Sequence, residues 1–566
     1  WLNLADHIFT PYTSSTILYG YLSMLDRANF FNKPKPVIAK NPSVLSSVTL
    51  SLSQVFKYPL SEMQKAKLQI SDWYLMYKDI DKFLLETLPQ RAGSDNIAST
   101  TAVPGARFIN PIGQRIFSAL GYNFKTLPSE LVSITGPNVS TVANYGDRGF
   151  EDPEARRVFD FVSILIGKQT LMNRFSQDKG HLVGIEKSML RMCLQTSDFA
   201  IAGKAIFKKL AANWDDKVSY QNQMTYLGAN IIAQCILGIP EFSANLVPPM
   251  REVGKTIFEL GKDQTKLGAS ADFIHDLNAE LSTKYFTQLD PNKFIRLDLE
   301  AGAEETGDEE LIALTKARVG LPLQESDKEK LLSFMIARRG GSRLLVVDNI
   351  SATIMGGLAY INESIEIKQR LQLEINEYKF QNNLNPEDDV PLDDLRKLPY
   401  LDAIYWETLR IVSSASILVR NTSKDNTFKI KNSNNESVLH HVPRYAMLFS
   451  PLRSIHHDPK NWPNPLVFNP DNFYNVDPTR SRILRNKIFP FSIGMRVCPA
   501  QNGSIECAGK SIWVESLKHQ FILDKKVETV PTDTIKSYWK DEYYAKLVPE
   551  TRIDQTVSFS LTGIYR

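Results

Sequence analysis

Residues 221–237 form a mostly apolar stretch that stops at Gly238-Ile239-Pro240. A glycine followed closely by a proline is a helix-ending pair, so the run predicts a buried helix. Ser326 and Glu329 stand three apart just ahead of Leu331 and Leu332, a capping-box pattern that predicts a second helix start. Gly340-Gly341-Ser342 weakens that helix, and a long apolar stretch resumes it through Tyr360. Residues 382–394 are polar and break the pattern before the next helix. Near the end, residues 557–563 alternate apolar and polar and close on Gly563, which predicts one strand of a C-terminal hairpin. The first part of the chain says less. Residues 1–92 read as helical and loop segments, for instance around 61–88, without a chemical motif, and the Gly/Ser/Ala/Thr/Pro-rich residues 91–105 read as a linker. The acidic stretch 300–310 predicts an exposed loop or helix start. No internal repeat is visible.

Composition narrows the partners. The chain has 566 residues and 43% hydrophobic content, enough for two to four domain-sized units or for one large enzyme domain with an extension. Sixty-six basic residues against 63 acidic leave a formal charge of +3 without a concentrated basic arm, which argues against nucleic acid as a partner. The four cysteines, Cys193, Cys235, Cys498 and Cys507, have no paired zinc-ligand spacing and are too few for a disulfide scaffold, so a reducing intracellular compartment is expected. No run of eighteen apolar residues appears, and residues 1–30 lack the pattern of a signal peptide. The numbering starts at Trp1 rather than Met, which leaves open an upstream anchor and peripheral membrane association.

Candidate chemistry concentrates between Phe489 and Lys510. Phe491, Gly494 and Arg496 precede Cys498 by seven, four and two residues. Cys507 opens Cys-Ala-Gly-Lys, with Gly503 four residues before it and Gly509 two after, so the backbone can turn tightly beside either thiol. Upstream, Leu398-Pro-Tyr-Leu401 leads into Glu407-Thr-Leu-Arg410; a Glu and an Arg three apart share one helix face and can pair. His456-His457-Asp458-Pro459 and Phe468-Asn-Pro470-Asp471-Asn472-Phe473 follow.

These motifs resemble the cytochrome P-450 superfamily: the FxxGxRxC loop at Phe491–Cys498, the ExxR helix at Glu407–Arg410, and the HxDP and FxPxRF segments, with Asn472 in place of the usual arginine. The resemblance covers roughly residues 110–566 and is strongest in the last 180. It implies a mainly α fold with a small β region, haem b as cofactor, and a division into an N-terminal extension and linker (1–105) and a haem-thiolate catalytic domain (106–566). Within the superfamily, the Cys-Ala-Gly-Lys ligand preceded by an insertion resembles the fatty-acid-hydroperoxide enzymes. On that reading Cys507 is the iron ligand, with Gly503 and Gly509 shaping its turn, and Cys498 is the alternative ligand. Glu407 and Arg410 then form a structural pair beside the cofactor, while Arg420 and Lys187 are candidate propionate partners. Counting back from the helix around 369–375, the acid-Thr pair of the superfamily's monooxygenases falls on Asp348-Asn349. An amide is a poor proton relay, which favours a substrate that brings its own O–O bond. The expected reaction is therefore rearrangement or cleavage of a polyunsaturated fatty-acid hydroperoxide without external reductant. The alternatives are a reductase-dependent monooxygenase acting on a hydrophobic substrate, which alone needs a redox partner, and a non-catalytic haem-binding member.

Overall fold

A computed structural model describes residues 82–102, 106–119, 128–146, 155, 165, 196–237, 240–258, 264–284, 347–412, 417–474, 476–494, 497–498, 500, 503–523 and 543–549. The expected features at 61–81, 187, 300–310, 326–329, 340–342, 496 and 557–563 lie outside these residues. Along the chain run β1 (Ile97–Thr101), α1 (Ala106–Ala119), β2 (Glu130–Ile134), α2 (Val139–Ala143), α3 (Thr196–Ala212), α4 (Tyr220–Ile232), α5 (Val247–Phe258), α6 (Gln264–Lys284), α7 (Val347–Glu363), α8 (Ile365–Gln381) and α9 (Pro399–Ile411). Then come β3 (Leu418–Asn421), β4 (Asn426–Lys431), β5 (Ser437–Val442), β6 (Met447–Ser450), α10 (Leu452–His456), α11 (Pro478–Arg485), α12 (Ser504–Ser516), β7 (His519–Leu523) and β8 (Ala545–Pro549). The architecture is mainly helical with small sheets, as the sequence predicts.

The core is a helical layer in which α4 packs on α7, and α12 packs on both α3 and α7. Helix α4 is buried on nearly every face, polar residues included. Its N-terminus is capped by Ser219, whose hydroxyl accepts the Asn222 N–H at 3.4 Å. The polar residues it carries inside are satisfied locally: Gln223 donates to the carbonyls of Asp215 and Val218, and Asn230 donates to the Tyr226 carbonyl and accepts from Phe242 N. Helix α4 continues into a π turn over Ala233–Leu237, and the predicted stop at Gly238 lies outside the described residues.

Small residues set the distance between the core helices. Gly228 of α4 faces the Ser351 hydroxyl of α7, and Gly357 of α7 faces the Trp513 ring of α12; a Cβ at either glycine would overlap its neighbour. The indole also donates from Nε1 to the Ile354 carbonyl at 3.1 Å, so one buried tryptophan fixes α12 against α7 by shape and by a hydrogen bond. The long apolar helix expected to end near Tyr360 is α7, which runs to Glu363. It begins, within the described residues, at Val347.

Beside the helices lies a four-stranded sheet in the order β1-β2-β6-β3. β1–β2 and β6–β3 are antiparallel and β2–β6 is parallel. The pairs β4–β5 and β7–β8 form two separate antiparallel ribbons. β4 alternates as a half-buried strand should, with Phe428 and Ile430 inward. The stretch 91–105, expected as a linker, instead contains β1, whose residues pair with β2 from Ile97↔Ile134 to Thr101↔Glu130. Phe83 and Leu88 pack with Leu131, Val419 and Phe449. Residues 82–102 therefore share a core with the sheet, and a boundary at 105 does not separate two bodies there. The small residues of β1 carry no strong strand signal of their own; β2, whose paired residues lie 29 to 37 positions downstream, supplies the hydrogen bonds. Among the described residues no helix is long and apolar enough to cross a membrane.

Gly357→Ala should destabilise the protein by about 1–3 kcal/mol, because the added methyl overpacks the α7–α12 contact. Urea unfolding followed by circular dichroism measures it, and a change within error would show that Trp513 can give way.

Candidate active site

Helix α9 is started and held by carboxylates. Pro399 occupies its first turn, and Glu374 of α8 accepts the N–H groups of Tyr400 at 2.6 Å and Leu401 at 2.9 Å, which satisfies two of the donors that a helix start leaves open. Two turns on, Glu407 and Arg410 are fully buried. All five guanidinium N–H groups of Arg410 are used. Nε donates to Glu407 Oε2 at 2.8 Å; Nη2 donates to Glu407 Oε1 at 2.6 Å and to the Val467 carbonyl at 3.1 Å. Nη1 donates to the carbonyls of Pro465 at 2.6 Å and His456 at 3.3 Å. The Trp462 ring lies 5.2 Å from the guanidinium carbon.

Glu407 Oε1 also accepts from Asn469 N at 2.8 Å and from Asn472 Nδ2 at 3.2 Å. Asn472 thus fills the position that the sequence left in question. A neutral amide supplies the third donor where the resemblance leads one to expect a guanidinium, so the carboxylate keeps its partners without a second buried positive charge.

The two candidate thiols sit in different settings. Cys498 is half-buried on a loop whose turns are made by its own backbone: Ser492 N donates to Phe489 O at 3.0 Å, Val497 N to Gly494 O at 3.2 Å, and Cys498 N to Phe491 O at 2.9 Å. Gly494 has φ +81°, and a Cβ there would collide with Asn144, so only glycine suits this turn. Cys507, by contrast, lies in the first turns of α12 and is 3% exposed. Burial pushes its thiol up, the adjacent Glu506 carboxylate adds to this, and Arg396 and Lys510 offset only part of it. Of the two glycines read as shaping its turn, Gly503 does so, with φ +104° at the helix N-cap. Gly509 does not: it sits inside α12, in ordinary contact with Trp513.

Beside Cys507, α12 is tied to its neighbours by an ion ladder. Arg396 pairs with Glu506 at 3.3 Å, and the fully buried Lys510 ammonium bridges Glu506 at 2.7 Å and Asp402 at 2.8 Å. Arg485 closes the ladder on Asp402.

On the other side, Asp348 lies in the first turn of α7 and is 8% exposed. Among the described residues its Oδ1 has no hydrogen-bond partner. Burial pushes its carboxyl well above the usual carboxylate range, with only partial relief from Arg251 of α5. Asn349, one residue on, is exposed. Arg420 is buried on β3 and donates to the Val419 carbonyl at 2.8 Å and the Ala143 carbonyl at 3.0 Å. His456 and His457 are held neutral, with pKa values pushed down to about 3 and about 2 by burial first and by Arg410 second. Among the described residues no cluster of three His, Cys, Asp or Glu could hold a metal ion. Sequence reasoning missed the Glu374 cap, the role of Asn472 and the Lys510 ladder; only the Glu506–Lys510 rung of the ladder, an i,i+4 pair, has a local spacing signal.

Residues 345–502 match the family model for Cytochrome P450, a segment that contains α7, the Glu407–Arg410 helix and Cys498 and ends before Cys507. Over this segment the chain is similar to the cytochrome P450 family. It is 29% identical over 221 residues to salutaridine synthase of Papaver somniferum, covering 37% of this chain and 40% of that one. It is 32% identical over 184 residues to cheilanthifoline synthase of Argemone mexicana, covering 31% and 34%. To cytochrome P450 2J5 of Mus musculus it is 29% identical over 151 residues, or 27% of each chain. The matches thus span less than half of these relatives' own lengths. A zebra fish cytochrome P450 structure with abiraterone superposes with a TM-score of 0.53 at 15% identity, covering 82% of this chain and 99% of that one. Retinoic acid bound cyanobacterial CYP120A1 gives 0.50 at 16%, covering 77% and 94%. The fold is therefore that of the cytochromes P450. None of these three relatives' names carries a hydroperoxide activity, and the narrower placement in that branch has no support from them.

Haem is the cofactor that the fold and the family match imply. The donor set fits it: a soft thiolate is the ligand that iron takes in this superfamily, and Cys498 is a reachable thiol on a loop pinned by its own hydrogen bonds.

Arg410→Lys should destabilise the protein by about 3–5 kcal/mol, since an ammonium cannot replace the five-donor fork and leaves a buried carboxylate underpaired. Asn472→Ala should cost less, about 1–3 kcal/mol, because Glu407 Oε1 keeps two other donors. Urea midpoints of the two variants check the order; equal losses would mean that Asn472 matters as much as the pair.

Proposed function

We propose that this protein is a haem-thiolate monooxygenase of the cytochrome P450 superfamily in which Cys498, rather than Cys507, is the axial ligand. The observation that carries this reading is the contrast between the thiols: Cys498 is partly exposed on a pinned loop, whereas Cys507 is enclosed in α12 beside the Glu506 carboxylate. An iron ligand must be deprotonated and reachable, and burial beside an anion opposes both. When bound, haem supplies the activation of dioxygen and the transfer of one oxygen atom to a hydrophobic substrate.

The protein's own contributions are positional and protonic. Arg420, and Lys187 outside the described residues, would hold the propionates. Asp348, whose carboxyl is pushed well above the usual carboxylate range by burial with Arg251 opposing, holds a proton more readily than an exposed carboxylate. Asn349 can orient a water or a substrate hydroxyl through its amide but cannot pass a proton on. Electrons would come from a reductase. Exposed Arg480 and Arg482 on α11, just ahead of the Cys498 loop, give such a partner a cationic face.

Asn349 also supports a second reading. An exposed amide where monooxygenases keep a hydroxyl suits a fatty-acid hydroperoxide, which needs no proton relay and no reductant.

Reduced, carbon-monoxide-treated Cys498→Ser should lose the thiolate-type Soret band while Cys507→Ser keeps it; the reverse result would return the ligand role to Cys507. Mixed anaerobically with a conjugated-diene hydroperoxide and no reductant, the wild-type protein should leave the diene absorbance unchanged over many enzyme equivalents. Rapid catalytic loss would move the assignment to the hydroperoxide reading.

A further inference from the structure

Two parts of this molecule that are separate in sequence meet at one side chain. Arg410 Nη1 donates to the carbonyl of His456, the last residue of α10. The His456 ring then accepts, at Nε2, the backbone N–H of Phe489 at 2.8 Å. Phe489 O accepts Ser492 N, and Phe491 O accepts Cys498 N. A chain of hydrogen bonds, joined by short stretches of covalent structure, therefore runs from the buried Glu407–Arg410 pair, through His456, into the loop that presents the thiol. Apolar packing follows the same path: Leu452 and Ile455 of α10 cluster with Val139 and with Phe489 and Ile493 of the loop.

The histidine gives up something to make this contact. An imidazole that accepts at Nε2 must carry its proton on Nδ1, and here Nδ1 is buried and has no partner among the described residues. A merely space-filling residue would have no reason to leave a donor unsatisfied. The ring must also stay neutral to accept, and burial first and Arg410 second keep it so, with a pKa near 3.

The geometry points to His456 as a positioning residue that holds the Cys498 loop in its ligand-presenting conformation, by fixing Phe489 against the buried Glu407–Arg410 pair. The inference rests on the assignment of Cys498 as the ligand. His456 does not itself touch iron or substrate; it acts through the backbone at the root of the loop.

The test compares His456→Leu, which removes the acceptor, with His456→Gln, whose longer amide can place an oxygen near the position of Nε2. Two readouts are taken on the full chain: hydrogen exchange of the peptide containing Phe489, and the thiolate-type fraction of the reduced carbon monoxide spectrum of the haem-loaded protein. Helix content by circular dichroism establishes that each variant is folded. Exchange at Phe489 should rise about five- to tenfold in His456→Leu, the loss of one hydrogen bond, and the thiolate-type fraction should fall; His456→Gln should restore both. Unchanged exchange in His456→Leu, or failure of Gln to restore anything in a folded protein, would overturn the proposal. Faster exchange with an unchanged spectrum would overturn the coupling to the ligand. Should His456→Leu fail to fold, His456→Gln against wild type decides alone: a slow Phe489 amide and a retained thiolate band support the acceptor role, and loss of either refutes it. The Cys498→Ser spectrum is recorded alongside, so that failure of the ligand assignment is seen independently of the exchange data.

Discussion

A buried carboxylate and a buried guanidinium, three residues apart on one helix, carry much of the architecture around the candidate site. Placing either charge alone in the interior would cost several kcal/mol, so the pair persists only because every donor of Arg410 is occupied. Those donors reach the carbonyls of His456, Pro465 and Val467, and Glu407 reaches Asn469 and Asn472. One ion pair thus gathers the chain between β6 and α11 onto α9. That stretch leads directly into the Cys498 loop, and its order bears on where the thiol points.

Electrostatics separates the two cysteines more sharply than distance along the chain does. They stand nine positions apart, yet one ends a self-bonded loop and the other is enclosed in a helix beside a carboxylate. The ladder from Arg396 through Glu506, Lys510 and Asp402 to Arg485 gives the second environment a structural purpose. It anchors the start of α12 to α9 and α11, with Lys510 wholly enclosed and compensated on both sides. A thiolate added to that ladder would compete with Glu506 for the same cations.

Close approach between helices completes the frame. Gly228 and Gly357 let α4 and α12 press against opposite parts of α7, and Trp513 both fills and hydrogen-bonds the second contact. Because α12 follows the Cys498 loop directly, the fit of Trp513 against α7 sets the position of the loop's far end, while His456 sets its near end.

Local chemistry was legible in the sequence: the apolar helices that became α4 and α7, the ExxR helix, the polar break after α8, and a thiol-bearing loop between Phe489 and Lys510. Each depends on neighbours within one or two turns, so spacing alone carries it. Only the tertiary structure decided the rest. The small residues of β1 became a strand because β2 pairs with them, and Asn472 became a donor to Glu407 because the chain returns across α9 sixty-five residues later. The contrast between Cys498 and Cys507 arises in the same way, from burial and from charges on α12 and the segment before α9 that the surrounding motif does not encode. Hydrogen-bond partners and desolvation are properties of what packs against a residue, and what packs against it here comes from distant parts of the chain.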